Sequence, residues 1–63
     1  MKVDITYGKI DLEVEYDVPE GMSASKGFEL LDIRHKGESI HDFLADRAIE
    51  EIMDKAIEVI DGR

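Results

Sequence analysis

Cysteine and tryptophan are absent from the sequence, and proline occurs once. Without cysteine the chain has no disulfide framework, no thiolate zinc site and no cysteine nucleophile. One proline and five glycines are too few for a low-complexity segment. No apolar run approaches the ~20 residues that span a bilayer, so no membrane segment is expected. Positive charge is scarce too: eight Lys and Arg face sixteen Asp and Glu, a net charge of −8. That balance works against direct nucleic-acid binding, which rests on neutralising phosphates. The opening Met1-Lys2-Val3-Asp4-Ile5 puts no apolar stretch behind its basic residue. No secretory signal is therefore expected, and the chain reads as cytoplasmic.

What is present is a chain 43% apolar and 38% charged, too apolar for a disordered tail. Its 63 residues can furnish one hydrophobic core, so residues 1–63 are read as a single domain.

The clearest pattern runs from Ile10 to Val18. Ile10, Leu12, Val14, Tyr16 and Val18 alternate with Asp11, Glu13, Glu15 and Asp17. Successive side chains of a strand point to opposite faces, so this is a half-buried strand with one apolar and one acidic side. Val3, Ile5 and Tyr7 alternate likewise just upstream. Gly8-Lys9 between the runs suits a two-residue type II′ turn. That turn sets Tyr7 against Ile10, Ile5 against Leu12 and Val3 against Val14, all apolar pairs on one face. A slip by one residue destroys the match, so turn and pattern support each other. On the other face Lys2 meets Glu15 and Thr6 meets Asp11. Asp4 meets Glu13, a like-charge pair with no folding rationale.

Pro19–Gly27 is rich in small and turn-forming residues and reads as a loop. Phe28–Lys36 then reads as a third strand whose phase changes midway. Phe28 and Leu30 share one face, and Leu31 and Ile33 the other phase. A β-bulge near Leu30-Leu31 reconciles them; the alternative is that Leu30 faces outward into a partner. Lys36-Gly37 turns the chain. Ser39-Ile40-His41-Asp42 has the form of a capping box, with Ile40, Phe43 and Leu44 in a short entry turn. Asp46 suits the cap of a longer helix. There Ile49, Ile52, Met53, Ala56, Ile57 and Ile60 recur at spacings of three and four. Glu50, Glu51, Asp54, Lys55, Glu58 and Asp61 take the opposite side, with Glu51 and Lys55 spaced for an i,i+4 ion pair. Gly62 is a natural stop.

The expected architecture is α+β: a three-stranded antiparallel sheet with one long C-terminal helix packed on its apolar face. Two strand orders stay open, a simple meander and one in which the third strand pairs with the first. The expected core joins Val3, Ile5, Tyr7, Ile10, Leu12, Val14, Tyr16, Phe28, Leu31, Ile33, Phe43 and Leu44 to Ile49, Ile52, Met53, Ile57 and Ile60 of the helix. A domain this small buries only ~60% of its unfolded surface, and pairing of two copies is a simple remedy. Tyr16, Val18 and Leu30 are candidates for a homodimer interface; alternatively they close the monomer's own core.

Little chemistry is legible. His35, His41 and Asp42 carry donor types that suit zinc or manganese, but their spacing matches no metal motif and a third strong ligand is lacking. Solvated histidines flanking a turn account for them. Every carboxylate falls on a solvent phase, whereas acid–base catalysis needs one in an apolar cleft. No phosphate loop, calcium loop or Ser-His-Asp arrangement occurs. Neither an enzyme nor a cofactor is expected.

Charge geometry is the remaining clue. Asp11, Glu13, Glu15 and Asp17 project at ~6.8 Å intervals from one strand face. Asp4 adds to the row, and Asp46, Glu50 and Asp54 form a second line at i,i+4 spacing. One functional reading of such rows is mimicry of a nucleic-acid backbone, which would occupy the basic groove of a nucleic-acid-binding protein, although Lys2, Lys9, Arg34 and Lys36 interrupt the sheet's anionic field. A simpler account is that the acids keep a small domain soluble and deter edge pairing.

The run Ile10–Val18, then Leu31-Asp32-Ile33-Arg34-His35-Lys36-Gly37, Ser39-Ile40-His41-Asp42-Phe43-Leu44-Ala45-Asp46 and Ala48-Ile49-Glu50-Glu51-Ile52, resembles small acidic accessory proteins of phages and prophages. These share an N-terminal hairpin of alternating acids, a loop, a third strand and a closing helix. The resemblance implies a non-catalytic protein that binds and inhibits a host protein, such as a defence complex, in the host cytoplasm. The expected contacts are Asp11, Glu13, Glu15 and Asp17, then Glu50 and Asp54. The rival expectation is an assembly module whose apolar surplus at Tyr16, Val18 and Leu30 builds a homo-oligomer. A small metal-dependent enzyme at His35, His41 and Asp42 ranks third.

Overall fold

The computed structural model describes residues 1–62. It contains β1 (Lys2–Tyr7), β2 (Ile10–Asp17), a one-turn helix α1 (Ala24–Gly27), β3 (Glu29–His35), β4 (Glu38–Ser39), a 3-10 turn (His41–Phe43) and α2 (Asp46–Ile60). The strands form one antiparallel sheet in the order β1-β2-β3-β4. The α+β class therefore stands, with four strands rather than three, and the meander order is the one adopted. The extra strand is two residues long and follows a turn in which Lys36 and Gly37 both have positive φ, 52° and 84°. Two such residues in succession match the type I′ geometry that closes the tightest hairpins.

The first hairpin has the register that its alternation demands. Val3 pairs with Val14, Ile5 with Leu12 and Tyr7 with Ile10; Lys2 pairs with Glu15, Asp4 with Glu13 and Thr6 with Asp11. Gly8 has φ +64° and Lys9 has no positive φ, as a type II′ turn requires. A Cβ on Gly8 would meet no atom within 4 Å, so only its backbone conformation opposes a side chain. Gly8→Ala is accordingly expected to cost about 1–2 kcal/mol. A lower urea midpoint at unchanged m-value would register it.

The phase change in β3 is a bulge. Asp32 pairs with Glu15 and Leu30 with Tyr16, leaving Leu31 as the extra residue. Leu30 thus stays on the core side and packs against the core, which removes the outward-facing alternative. Leu31, expected in the core, is 50% exposed. Phe43 is 87% exposed and Ile10 41%, so both also leave the expected core. Phe43 belongs to a 3-10 turn of three residues, too short to present an amphipathic face. Ile10 closes the hairpin, at the edge of the apolar face.

The core is one cluster of Ile5, Leu12, Val14, Ile33, Ile52 and Ala56, with Leu30, Ile40, Leu44 and Ile49 packed around it. Ala56 is fully buried and is small enough to let α2 approach the sheet. Gly62 takes φ +74° just beyond α2, and its N–H donates to the Val59 carbonyl. That is the expected left-handed stop.

Local details of the helix termini differ from the sequence reading. Ser39 does not cap a helix: its hydroxyl donates to Asp32 Oδ1 at 2.7 Å, across the sheet. The residue before the 3-10 turn is Ile40. Asp46 is the first residue of α2 rather than its cap; Ala45 holds the cap position with no side-chain bond. The acid still lies where a helix N-terminus favours negative charge. Glu51 reaches Arg47 Nε at 4.0 Å and accepts from the Tyr7 hydroxyl, instead of pairing with Lys55.

The stretch Pro19–Gly27 is more ordered than a loop. Ala24 is buried, and its N–H and that of Ser25 donate to the Asp61 carboxylate at 3.2 and 3.3 Å. The acid just past α2 thereby satisfies the first amides of α1. Asp61→Ala is expected to remove about 1 kcal/mol and to speed hydrogen exchange at the Ala24 and Ser25 amides.

Candidate binding surface

The outer face of the sheet, opposite α2, carries the acids of β2. Asp11 and Asp17 are exposed, and Glu13 and Glu15 are half-buried. Their order along the strand follows from strict alternation, because every apolar neighbour points into the core. Asp4 stands across from Glu13, Glu15 across from Asp32 and Asp17 across from Glu29, so three like-charge pairs lie directly across the ladder, and Arg34 bridges the middle one. Each costs a few tenths of a kcal/mol, on the order of 0.2–1.

Neutralisation along this row is uneven. Lys2 Nζ lies 3.5 Å from Glu13 Oε1, diagonal to its register partner Glu15. Arg34 lies 3.7 Å from Glu15 and 3.0 Å from Asp32. The middle of the row is therefore held in ion pairs. At its ends, Asp11 accepts from the Thr6 hydroxyl at 3.1 Å, and Asp17 accepts from the Val18 N–H at 3.0 Å. Neither Asp11, Asp17 nor Asp4 forms an ion pair among the described residues.

Asp32 and Arg34, missed as a unit in the sequence, organise the centre. The Ser39 hydroxyl, the Arg34 guanidinium and the Ile33 N–H all donate to Asp32. These bonds, Ser39 first and Arg34 next, hold its carboxyl below the usual carboxylate range. The lowered folded value means that this carboxylate stabilises the fold above its unfolded pKa. That contribution is lost as pH falls through the folded pKa. Asp32→Asn is expected to flatten the acid limb of a stability–pH curve below the ordinary carboxylate range. An unchanged acid limb would show that Asp32 does not contribute. A signal for the unit was present in the sequence: Asp32 and Arg34 share one strand face, and Ser39 follows a two-residue turn.

Glu50 and Asp54 are exposed on α2, as are Asp46 and Glu58. Since α2 covers the core face of the sheet, this second acidic line lies on the opposite side of the molecule from β2. One flat partner surface cannot meet both lines together.

The residues expected to form an apolar interface are largely absorbed by the protomer. Tyr16 is 8% exposed and stacks on Phe28, ring centroids 5.3 Å apart. Leu30 packs on the core and Val18 is half-buried. His35 is half-buried, with Nδ1 2.9 Å from the Asp11 carbonyl oxygen. His41 lies in the 3-10 turn with Asp42. Among the described residues no group of three or more His, Asp or Glu is placed to hold a metal ion. No helix among them is long and apolar enough to cross a membrane.

A shallow, open hollow of about 920 Å³ at the hairpin end is bordered by Asp4, Asp11, Glu13, Lys9, Arg34 and Lys36, and also by Lys55 and Val59 of α2. Acids and bases alternate around it, so its potential is mixed. At the opposite end Asp17 faces Glu29, while Glu15 is paired with Arg34 and the Met1 amine donates to the Tyr16 carbonyl. No family model matches the chain, and no curated protein or solved structure matches it either.

Proposed function

We propose that the protein is a non-catalytic accessory protein, of the phage type its sequence resembles, that inhibits a host protein through an acidic surface. Its target offers a basic groove, such as that of a nucleic-acid-binding defence complex. The observation that carries the reading is the β2 row with its like-charge pairs Asp4–Glu13, in which Lys2 reaches only Glu13, and Asp17–Glu29, which has no ion pair among the described residues. Folding alone does not favour such pairs, whereas a basic partner rewards them. Asp11 and Asp17 are the principal contacts, because Glu13 and Glu15 are engaged with Lys2 and Arg34. Glu50 and Asp54 serve only a target that reaches the helix side.

The test is capture from bacterial lysate by the wild type and by the Asp11→Lys, Asp17→Lys double variant, with and without added duplex DNA. A partner bound by the wild type, lost with the variant and displaced by DNA is the expected result. Equal capture by both proteins removes the acidic face from the account. The second reading, an assembly module forming a homo-oligomer, draws support from the open edge of β1 rather than from Tyr16, Val18 and Leu30.

A further inference from the structure

We infer that the free edge of β1 pairs antiparallel with the same edge of a second copy, about a two-fold axis at Val3. The hydrogen-bond phase of β1 is fixed by its first residue. The Met1 amine donates to the Tyr16 carbonyl at 2.9 Å, and the Tyr16 N–H donates to the Met1 carbonyl at 2.8 Å. Met1 and Tyr16 thus form a hydrogen-bonded pair. By strict alternation Val3, Ile5 and Tyr7 also bond to β2. The N–H and C=O groups of Lys2, Asp4 and Thr6 therefore point away from the sheet, along an edge with no neighbouring strand among the described residues.

This edge suits pairing better than the other. β1 runs six residues without a bulge or proline. On the far side β4 covers only Arg34 and His35, and the exposed part of β3 is broken by the Leu31 bulge. An interrupted strand is a poor template.

Charge selects the register. Outward-pointing groups must meet outward-pointing groups, so the centre falls on Val3, Asp4 or Ile5. Centring on Asp4 sets two aspartates face to face. Centring on Ile5 sets Asp4 against Thr6. Centring on Val3 sets Lys2 of each copy against Asp4 of the other, two opposite-charge pairs. It also places a cation beside Asp4, which within one copy faces only Glu13. The like-charge pair that folding leaves unexplained acquires a counter-charge.

The apolar side agrees. Tyr7 bonds Glu51 in the N-terminal half of α2, while Ile60 and Asp61 line a hollow with Met1 at its C-terminal end. The helix therefore runs antiparallel to β1. From Glu51 to Val59 is ~12 Å of helix, and from Tyr7 to Val3 is ~13 Å of strand. Val59, 50% exposed, is thus level with Val3, at the proposed axis. Met1, 61% exposed, falls opposite Ile5 of the second copy. The dimer is an eight-stranded sheet with both helices on one face. An edge contact of this size gives a weak, concentration-dependent association.

Sedimentation equilibrium over a concentration series tests it, at a salt concentration where each copy's net charge is screened beyond ~8 Å. Lys2→Asp alone and Asp4→Lys alone are each expected to weaken association about tenfold, since two symmetric pairs turn repulsive. The double exchange Lys2→Asp, Asp4→Lys is expected to restore it. Circular dichroism checks that each variant is folded. In the wild type, hydrogen exchange at the Lys2 and Asp4 amides should slow as concentration rises, while Thr6, beyond the paired segment, stays fast. A wild type that remains monomeric, single reversals that associate normally, or a Thr6 amide protected with the others would each overturn the proposal. So would a dimer whose β1 amides exchange freely.

Discussion

Ile33→Ala is expected to leave the chain unfolded at room temperature. Ile33 is fully buried, faces Val14 across the ladder and belongs to the same cluster as Ile52. Truncating a buried isoleucine to alanine costs about 2–5 kcal/mol, through lost burial and the cavity left behind. A core in a domain of this size rarely supplies more than ~3–5 kcal/mol. One substitution therefore removes most of the stability. Ile33→Val is the control, at about 0.5–1.5 kcal/mol, and should still melt cooperatively. Far-ultraviolet circular dichroism in a urea series separates the two. A cooperative Ile33→Ala transition near the wild-type midpoint would mean that the sheet–helix contact is not where stability resides. If β1 edges pair, the midpoint of every variant also rises with protein concentration, because association stabilises the folded state by mass action.

How much of this structure was legible depended on how many residues voted for each feature. The β1–β2 hairpin was readable to the last pair because Val3, Ile5 and Tyr7, five apolar residues of the second run and the Gly8 turn all constrain one register. The apolar stripe of α2 was readable for the same reason. The β4 strand left no such record. Glu38-Ser39 carries no apolar residue, and its existence rests on the paired positive φ of Lys36 and Gly37. Ser39 reads as a cap because a serine two residues past a turn looks alike in sequence whether it ends a hairpin or begins a helix. Its partner, Asp32, is fixed only by the sheet. Phe43 misled because an aromatic residue beside a helix normally faces inward, whereas a 3-10 turn points it outward. At the candidate surface, alternation gave the row of acids but not their ion pairs. Lys2 reaching Glu13 and Arg34 reaching Glu15 and Asp32 depend on side-chain reach across the pleat. Those contacts decide which carboxylates remain available to a partner. The separation of Glu50 and Asp54 from the β2 row likewise needs the third dimension, since only packing says that α2 lies behind the sheet.

Deleting Glu13 is expected to abolish folding, while deleting one residue of the Leu30-Leu31 pair is expected to leave a folded protein. With the Gly8 turn holding β1 and the start of β2, loss of Glu13 shifts every later residue of β2 to the other face. Val14, 0% exposed, and Tyr16, 8% exposed, would turn to solvent. Glu15 and Asp17 would turn into the core, where an unpaired carboxylate costs several kcal/mol. No sheet this small absorbs that. Loss of either leucine yields one and the same sequence, Phe28-Glu29-Leu-Asp32-Ile33, and its alternation is unbroken. The remaining leucine still faces Tyr16, Asp32 still faces Glu15, and no side chain changes face. Only the bulge disappears, together with an exposed leucine, so the expected change is on the order of 1 kcal/mol. Urea denaturation of the two deletion variants reads the contrast directly. If the leucine deletion also unfolds the chain, the bulge is structural: its bend would be what brings Phe28 onto Tyr16 at 5.3 Å, and β3 could not start where the Pro19–Gly27 segment delivers it without the extra residue.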